Sequence, residues 1–420
     1  MSKLERSLSL TQVTLMSIGI ILGAGIYVVI GQAVGMAGNA VWISFIIAAL
    51  VATFSGLSYA ELSSRFPTAA AEYTYVEESF GSRLAWITGW LIIAGSIIGS
   101  ATVAIGFSKY FSALFQTPIL HVTIITLCII AIVLFAGVQE TASLTILFTI
   151  IEALGLIIII FIGLPRIGTV DYLAVAEGVQ GIIKSGVLIF FGYLGFEGIT
   201  RLASETKNPE KTIPKAILYS IAITTVFYIL VGIAAVSVIP YGQLAEAEAP
   251  LALVAESAFG SHSFLILSVI ALFSTFNTAL VMLLSGSRIV YGMAEEKGLP
   301  PFFARVSKKT KTPWIAIITV VIGAVCFSLI GDLKTVANLT NFTVFAVFIL
   351  VNAAVIYFRY KKPVKTGFFS PLSIGKMPVF PLFGIISSLF MIINIELPIL
   401  IMGCSLILIG FLFEYLKKVS

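Results

Sequence analysis

The stretch Phe190-Phe191-Gly192-Tyr193-Leu194-Gly195-Phe196-Glu197 decides how this chain is read. Two glycines and a carboxylate lie inside an apolar run, residues 180–200, long enough to cross a membrane. Glycine costs a helix interior about 1 kcal/mol relative to alanine, and an ionisable group at that depth is expensive. A second cluster, Gly19-Ile20-Ile21-Leu22-Gly23-Ala24-Gly25-Ile26-Tyr27, occupies the middle of the first apolar run. On glycine alone, close helix packing is the plainer explanation, because small residues four apart let membrane helices approach. Position is what gives the two clusters a further meaning.

Working outward, the chain has 420 residues, of which 59% are hydrophobic and 11% charged. A soluble domain carries about 25% charged residues, so this chain cannot cover a water-facing surface and a soluble enzyme is excluded. Hydropathy windows give twelve spans: 10–34, 40–63, 84–111, 119–138, 141–163, 180–200, 215–239, 263–290, 314–331, 336–358, 378–394 and 397–415. Lipid forces the backbone to satisfy itself, so these spans are helices. The expected fold class is an all-α polytopic membrane protein with about twelve transmembrane helices, read as one domain over residues 1–420. Cys128, Cys326 and Cys404 are too scattered for a disulfide framework or a zinc spacing. With only His121 and His262, a histidine metal site or a Ser/His/Asp hydrolase is not expected. No phosphate-binding loop motif and no cofactor signature is present. Residues 1–9 are polar and charged, so the first apolar run is expected to stay as a span.

Of the 25 Lys and Arg residues, all but Lys109, Arg166, Lys184 and Lys334 fall on one side of a twelve-span layout, in the termini, the even-numbered connections and the adjoining span ends. Lys207, Lys308 and Lys365 belong to that majority, as do Lys3, Lys417 and Lys418 at the termini, while the loop around 241–258 is acidic, with Glu246, Glu248 and Glu256. Positive residues stay inside, which places both termini in the cytoplasm of a cell membrane. This asymmetry accounts for the net charge of +5 without a nucleic-acid partner. The lipid itself is the expected surrounding partner.

The first and sixth spans open two successive sets of five, about residues 10–163 and 180–358, with residues 378–415 as two extra helices. Five spans per set invert the second set. Glycine-interrupted segments at matching positions of inverted halves point to a transporter site. A helix broken at the midplane frees amides on one side and carbonyls on the other. Amides at Ala24, Gly25 and Ile26 are then expected to hold a carboxylate, and carbonyls before Gly23 and around Phe191 and Gly192 an ammonium. A zwitterion fits, which points to an amino acid.

These motifs are similar to those of the amino acid–polyamine–organocation superfamily. Gly23-Ala24-Gly25-Ile26-Tyr27 resembles its helix-one break, and Phe191 to Glu197 its helix-six break. The segment Glu205-Thr206-Lys207-Asn208-Pro209, followed by Ile213-Pro214, resembles the loop after helix six, and Ser287-Arg288 with Tyr291 and Gly298-Leu299-Pro300 the end of helix eight. The resemblance implies a leucine-transporter-type fold of two inverted five-helix repeats plus two helices. It implies a substrate site at Gly23, Ala24, Gly25, Ile26, Phe191, Gly192, Leu194 and Gly195, with Phe191 as gate. The chain departs from the pattern at Ala69-Ala70-Ala71 before Glu72, and at Glu152, where proton-coupled members carry a lysine.

Two carboxylates lie deep in the spans. Glu197 is expected to cap the second half of helix six or to touch substrate or proton. Glu152 is expected either to bond a neighbouring helix as a neutral acid or to couple transport to a proton. Ser274 and Thr275 are weaker candidates for a sodium ion. The expected function is secondary active transport of amino acids, as a proton symporter, with an exchanger, a sodium symporter, and a channel or receptor as alternatives; no enzymatic constellation is seen. The residues do not name the amino acid, and the oligomeric state is open.

Overall fold

A computed structural model describes residues 6–247, 249–329, 333–362 and 367–419. Lys3, Glu248 and Lys365 lie outside the described residues, as do the side chains of Ala24, Lys417 and Lys418. Each expected span but the sixth is a helix with ends shifted by a few residues, and the sixth is helical only as far as Phe190. The first set comprises α1 (Leu10–Ala37), α2 (Val41–Arg65), α4 (Ser82–Phe115), α5 (Ile119–Ala136) and α6 (Val138–Gly163), with a short α3 (Ala71–Phe80) between α2 and α4. The second comprises α7 (Gly178–Phe190), α8 (Pro209–Val238), α11 (Ser261–Glu295), α12 (Trp314–Ser328) and α13 (Leu333–Lys361). Short helices α9 (Tyr241–Glu246) and α10 (Pro250–Phe259) fill the loop before α11, and α14 (Val379–Ile393) and α15 (Leu397–Val419) close the chain. A two-stranded hairpin, Ser373–Ile374 with Met377–Pro378, precedes α14.

Local signals set the helix ends. Ser9 and Gln12 form a reciprocal capping box that starts α1, with Ser9 N donating to Gln12 Oε1 at 2.9 Å and Gln12 N to Ser9 Oγ at 3.4 Å. Asn208 caps α8 in a left-handed conformation (φ 46°), Pro209 follows at its first position, and Glu210 lies in its positive first turn. The three short helices were not expected, because the hydropathy windows look only for membrane-length runs.

The central helix is α1, packed by α6, α7, α8 and α11, while α4 packs along α11 and α13. At the periphery, Ile132 on α5, Ile393 on α14 and Leu408 on α15 are exposed, a pattern that suits hydrocarbon rather than water. Polar contacts between helices are short-range: Ser17 Oγ donates to Ser220 Oγ (2.8 Å) between α1 and α8. Ser58 Oγ reaches Asn352 Oδ1 (2.6 Å), and Asn352 Nδ2 reaches Ser55 Oγ (3.1 Å), tying α2 to α13.

One expectation is corrected. The first span is not broken: α1 is α-helical without interruption through Gly23, Ala24 and Gly25. The amides expected to be freed at Ala24, Gly25 and Ile26 stay within the helix. The glycines serve packing instead, since each accepts a neighbour where a side chain would stand. A Cβ on Gly23 would meet Thr278 and the Ser274 carbonyl oxygen on α11.

The connectivity makes the expected sidedness testable. In a cysteine-free background, cysteines placed at Lys207 and Lys308 should label from one side of the membrane, and one at Ser257 from the other, because α8 and α11 each cross once between them. Labelling of Ser257 and Lys308 positions from the same side would overturn the crossing of α11.

Candidate substrate and coupling site

The sixth span is interrupted as expected. Helix α7 ends at Phe190, Phe191–Tyr193 form one 3-10 turn, and a second 3-10 segment runs from Gly198 to Glu205. Gly195 has φ 125°, a conformation that side-chain-bearing residues rarely adopt. The backbone groups at the interruption find partners inside the protein. Gly195 N donates to Glu197 Oε2 at 2.9 Å, and Leu194 N to Phe191 O at 3.3 Å. Thr200 donates to Glu197 O through both its amide (3.1 Å) and its hydroxyl (2.6 Å). One turn earlier, Asn341 Nδ2 donates to Val187 O at 2.7 Å. Glu197 thus accepts from an amide inside the interruption and makes no side-chain bond to the segment it was expected to cap.

Helix α1 meets this turn backbone to backbone. A Cβ on Gly25 would run into Gly192 Cα and the Tyr228 hydroxyl, and one on Gly192 into Gly25 Cα. The Tyr228 hydroxyl sits between the carbonyls of Ile21 and Gly192, 2.8 Å from the latter. Gly23, Gly25, Ile26, Phe191 and Gly192 are thus buried in helix packing. Of the expected substrate residues, Leu194 and Gly195 line a cavity, of about 30 Å³. Its wall also takes Ile20 from α1, Tyr59 from α2, Leu91 and Gly95 from α4, Ser285 from α11, Thr343 and Val347 from α13, and Glu197 and Arg201 from beyond the turn. The carboxylate seat drawn from the amides of α1 is accordingly not formed.

Glu152 on α6 is wholly buried against α1 and α11. Ser274 Oγ donates to its Oε2 at 2.8 Å, while Oε1 has no hydrogen-bond partner in the structure. Tyr27 of α1 donates to the Glu152 backbone carbonyl at 3.0 Å. Gly19 makes room for this cluster: a Cβ there would stand 2.6 Å from Asn277 Nδ2 and 3.1 Å from Glu152 Oε1. Asn277 Nδ2 donates to Thr149 Oγ1 at 3.3 Å, and its Oδ1 is buried without a partner. Ser274 and Thr275 do not converge as a sodium site. The first bonds Glu152, and the second donates to its own helix at Ala271 O (2.7 Å). Adjacent residues on a helix face different ways.

Sequence reasoning missed further buried charge. Glu72 and Glu205, placed in connections, are 0% and 1% exposed. Arg201 clasps Glu72 through Nη2 (2.7 Å) and Nε (3.1 Å) and reaches Ser285 Oγ at 2.6 Å. Arg288 clasps Glu205 at 2.9 and 3.1 Å. Opposite charges inside two of the recognised motifs, Glu205 and Arg288, were the available signal.

Two stability predictions follow from this geometry. Gly25→Ala should lower stability by about 1–3 kcal/mol through overpacking, whereas Gly242→Ala, with nothing within 4 Å, should not. Equal melting temperatures for the two in detergent would remove the close approach of α1 to the turn. Arg288→Met alone should cost about 3–5 kcal/mol by stranding Glu205, and Arg288→Met with Glu205→Leu should recover most of it. A double variant as unstable as the single would show that the pair is not an isolated unit.

Comparison with known proteins agrees with this architecture. A family model described as amino acid permease matches residues 8–402. The chain is similar to the branched-chain amino acid permease BcaP of Bacillus subtilis, with 29% identity over 98% of this chain and 93% of that protein. It is also similar to the methylthioribose transporter of the same organism, with 30% identity over 90% and 86% of the two chains. The vacuolar cationic amino acid transporter 4 of Arabidopsis thaliana is 28% identical over 86% of this chain and 64% of its own length. Nine candidate spans long and apolar enough to cross a membrane among the described residues, an interrupted sixth span and a match from residue 8 to residue 402 converge: the chain belongs to the amino acid permease family of the amino acid–polyamine–organocation superfamily.

Proposed function

We propose that this permease is a proton-coupled symporter of neutral aliphatic amino acids in a cell membrane, with both termini cytoplasmic and two inverted five-span sets forming its core. The observation that carries the coupling is the half-partnered Glu152 between α6, α1 and α11. A charged carboxylate in the membrane is costly unless its oxygens are paired. A proton on Oε1 would neutralise the buried carboxylate and give that atom a hydrogen to donate. The neutral form then favours tight packing of α1 at Gly19, and loss of the proton loosens it. An ion drives a conformational change only by favouring one state over another. Glu152 would provide that difference.

For the substrate, Ile20, Leu91, Ile92, Leu194, Val344 and Val347 make much of the cavity wall apolar. Its carboxylate, Glu197, already accepts from the Gly195 amide, and Arg201 is clasped by Glu72. That leaves little to balance a cationic side chain. The name of the Bacillus permease BcaP points the same way. Leu194 and Gly195 would line the aliphatic part of the site, and Phe191 would move to admit it.

The test is uptake into proteoliposomes of labelled leucine, isoleucine and valine, with arginine, lysine and methylthioribose as competitors. Branched aliphatic amino acids should accumulate under an inward proton gradient. Glu152→Gln, which mimics the neutral form, should still bind substrate but lose that acceleration. Accumulation that survives in Glu152→Gln would sink the coupling role. Accumulation by the parent protein that follows sodium and ignores pH, or that needs only internal amino acid, would replace symport with protons by sodium coupling or exchange.

A further inference from the structure

Lys109 is one of the four basic residues set apart from the rest, and Glu246 belongs to the acidic connection expected on the same side of the membrane. The structure brings the two together. Between the last turns of α1 and α4 and the short helices α9 and α10 lies a cavity of about 210 Å³. It shares no wall residue with the central cavity of about 30 Å³. Its walls are closely fitted. A Cβ on Gly31 of α1 would stand 2.7 Å from Leu244 O on α9, and one on Gly106 of α4 would stand 2.9 Å from the Val28 side chain on α1. Tyr110, also in the wall, donates from its hydroxyl to Tyr27 O at 2.9 Å and so ties α4 to α1.

A cation, an anion and an amide line this space. Lys109 is half-buried and Glu246 exposed, yet they form no ion pair with each other or with any other described residue. Gln32 lines the cavity too, and its Oε1 is shut off from water without a hydrogen-bond donor. Buried acceptors in native structures nearly always have a donor, so this oxygen is suited to an incoming N–H group. A simple anion would suit Lys109 but meet Glu246, and a simple cation would do the reverse. A small molecule carrying both charges satisfies both walls.

We propose that this cavity is a second amino-acid site, a capture site on the face expected to be outside the cell. The ligand carboxylate lies toward Lys109, and its ammonium lies toward Glu246 and Gln32 Oε1. The proposal rests on the reading of an aliphatic amino acid as the transported substrate. Recognition here is by the two backbone charges, through charge-assisted hydrogen bonds.

The test uses the full chain in nanodiscs with photo-leucine, whose diazirine labels its surroundings on illumination, and mass spectrometry to locate the label. Label is expected at two places: residues 28–32, 106–110 or 245–247 around this cavity, and residues 194–198 or 340–347 around the central one. Lys109→Gln and Glu246→Gln should each weaken the first about fivefold, the weight of a partly exposed ion pair, and leave the second unchanged. Unlabelled leucine should displace the probe from this cavity. Leucinamide, which lacks the carboxylate, and 4-methylpentanoic acid, which lacks the amine, should each need about five times the concentration. Label confined to the central cavity would overturn the capture site and leave the substrate reading standing, whereas label at neither place would overturn both. Label here that persists in both charge variants, or that leucinamide removes as readily as leucine, would show attachment without charge recognition and overturn the proposal as well.

Discussion

Every peptide group in a membrane must find its hydrogen bond within the protein, and the interrupted sixth span is where this demand is hardest to meet. Around residues 187–200 the helix ladder stops serving, and other groups take its place: the Glu197 carboxylate for the Gly195 amide, Asn341 for the Val187 carbonyl, Tyr228 for the Gly192 carbonyl. Two of these groups come from α8 and α13, which must therefore sit against the turn. Helix α1 is pressed onto the same turn by its glycines. Much of the arrangement of the core follows from satisfying this one defect.

The helical fold was legible because hydrocarbon imposes a coarse rule, a run of about twenty apolar residues, that a single chain displays openly. The two ends of α1, at Leu10 and Ala37, fall within a few residues of the apolar run 10–34. Short helices such as α10 were not, since a ten-residue helix in a loop depends on what it packs against. Lysine and arginine were read as solvated charges on one side of the membrane, which misled at Arg201 and Arg288. Their partners, Glu72 and Glu205, are distant in sequence, and a pair that buries itself looks from sequence like two solvated charges.

The site was legible in half. Glycines at Gly192 and Gly195 marked a real interruption, where φ 125° at Gly195 demands the residue type. The same residue type at Gly23 and Gly25 meant the opposite, a helix kept intact so that another backbone could approach. Glycine permits both outcomes, and only the neighbours decide between them. Glu152 stood out correctly as a buried acid, yet its meaning came from what sequence could not show: Ser274 on one oxygen and no hydrogen-bond partner on the other.

The Tyr228 hydroxyl has one hydrogen and two carbonyls within reach, Ile21 on α1 and Gly192 in the interruption. Turning the hydroxyl from one carbonyl to the other exchanges its acceptor, and Ile21 O stays within the unbroken ladder of α1 either way. One hydroxyl on α8 is therefore a swivel shared by α1 and the interrupted span, placed where their two backbones meet.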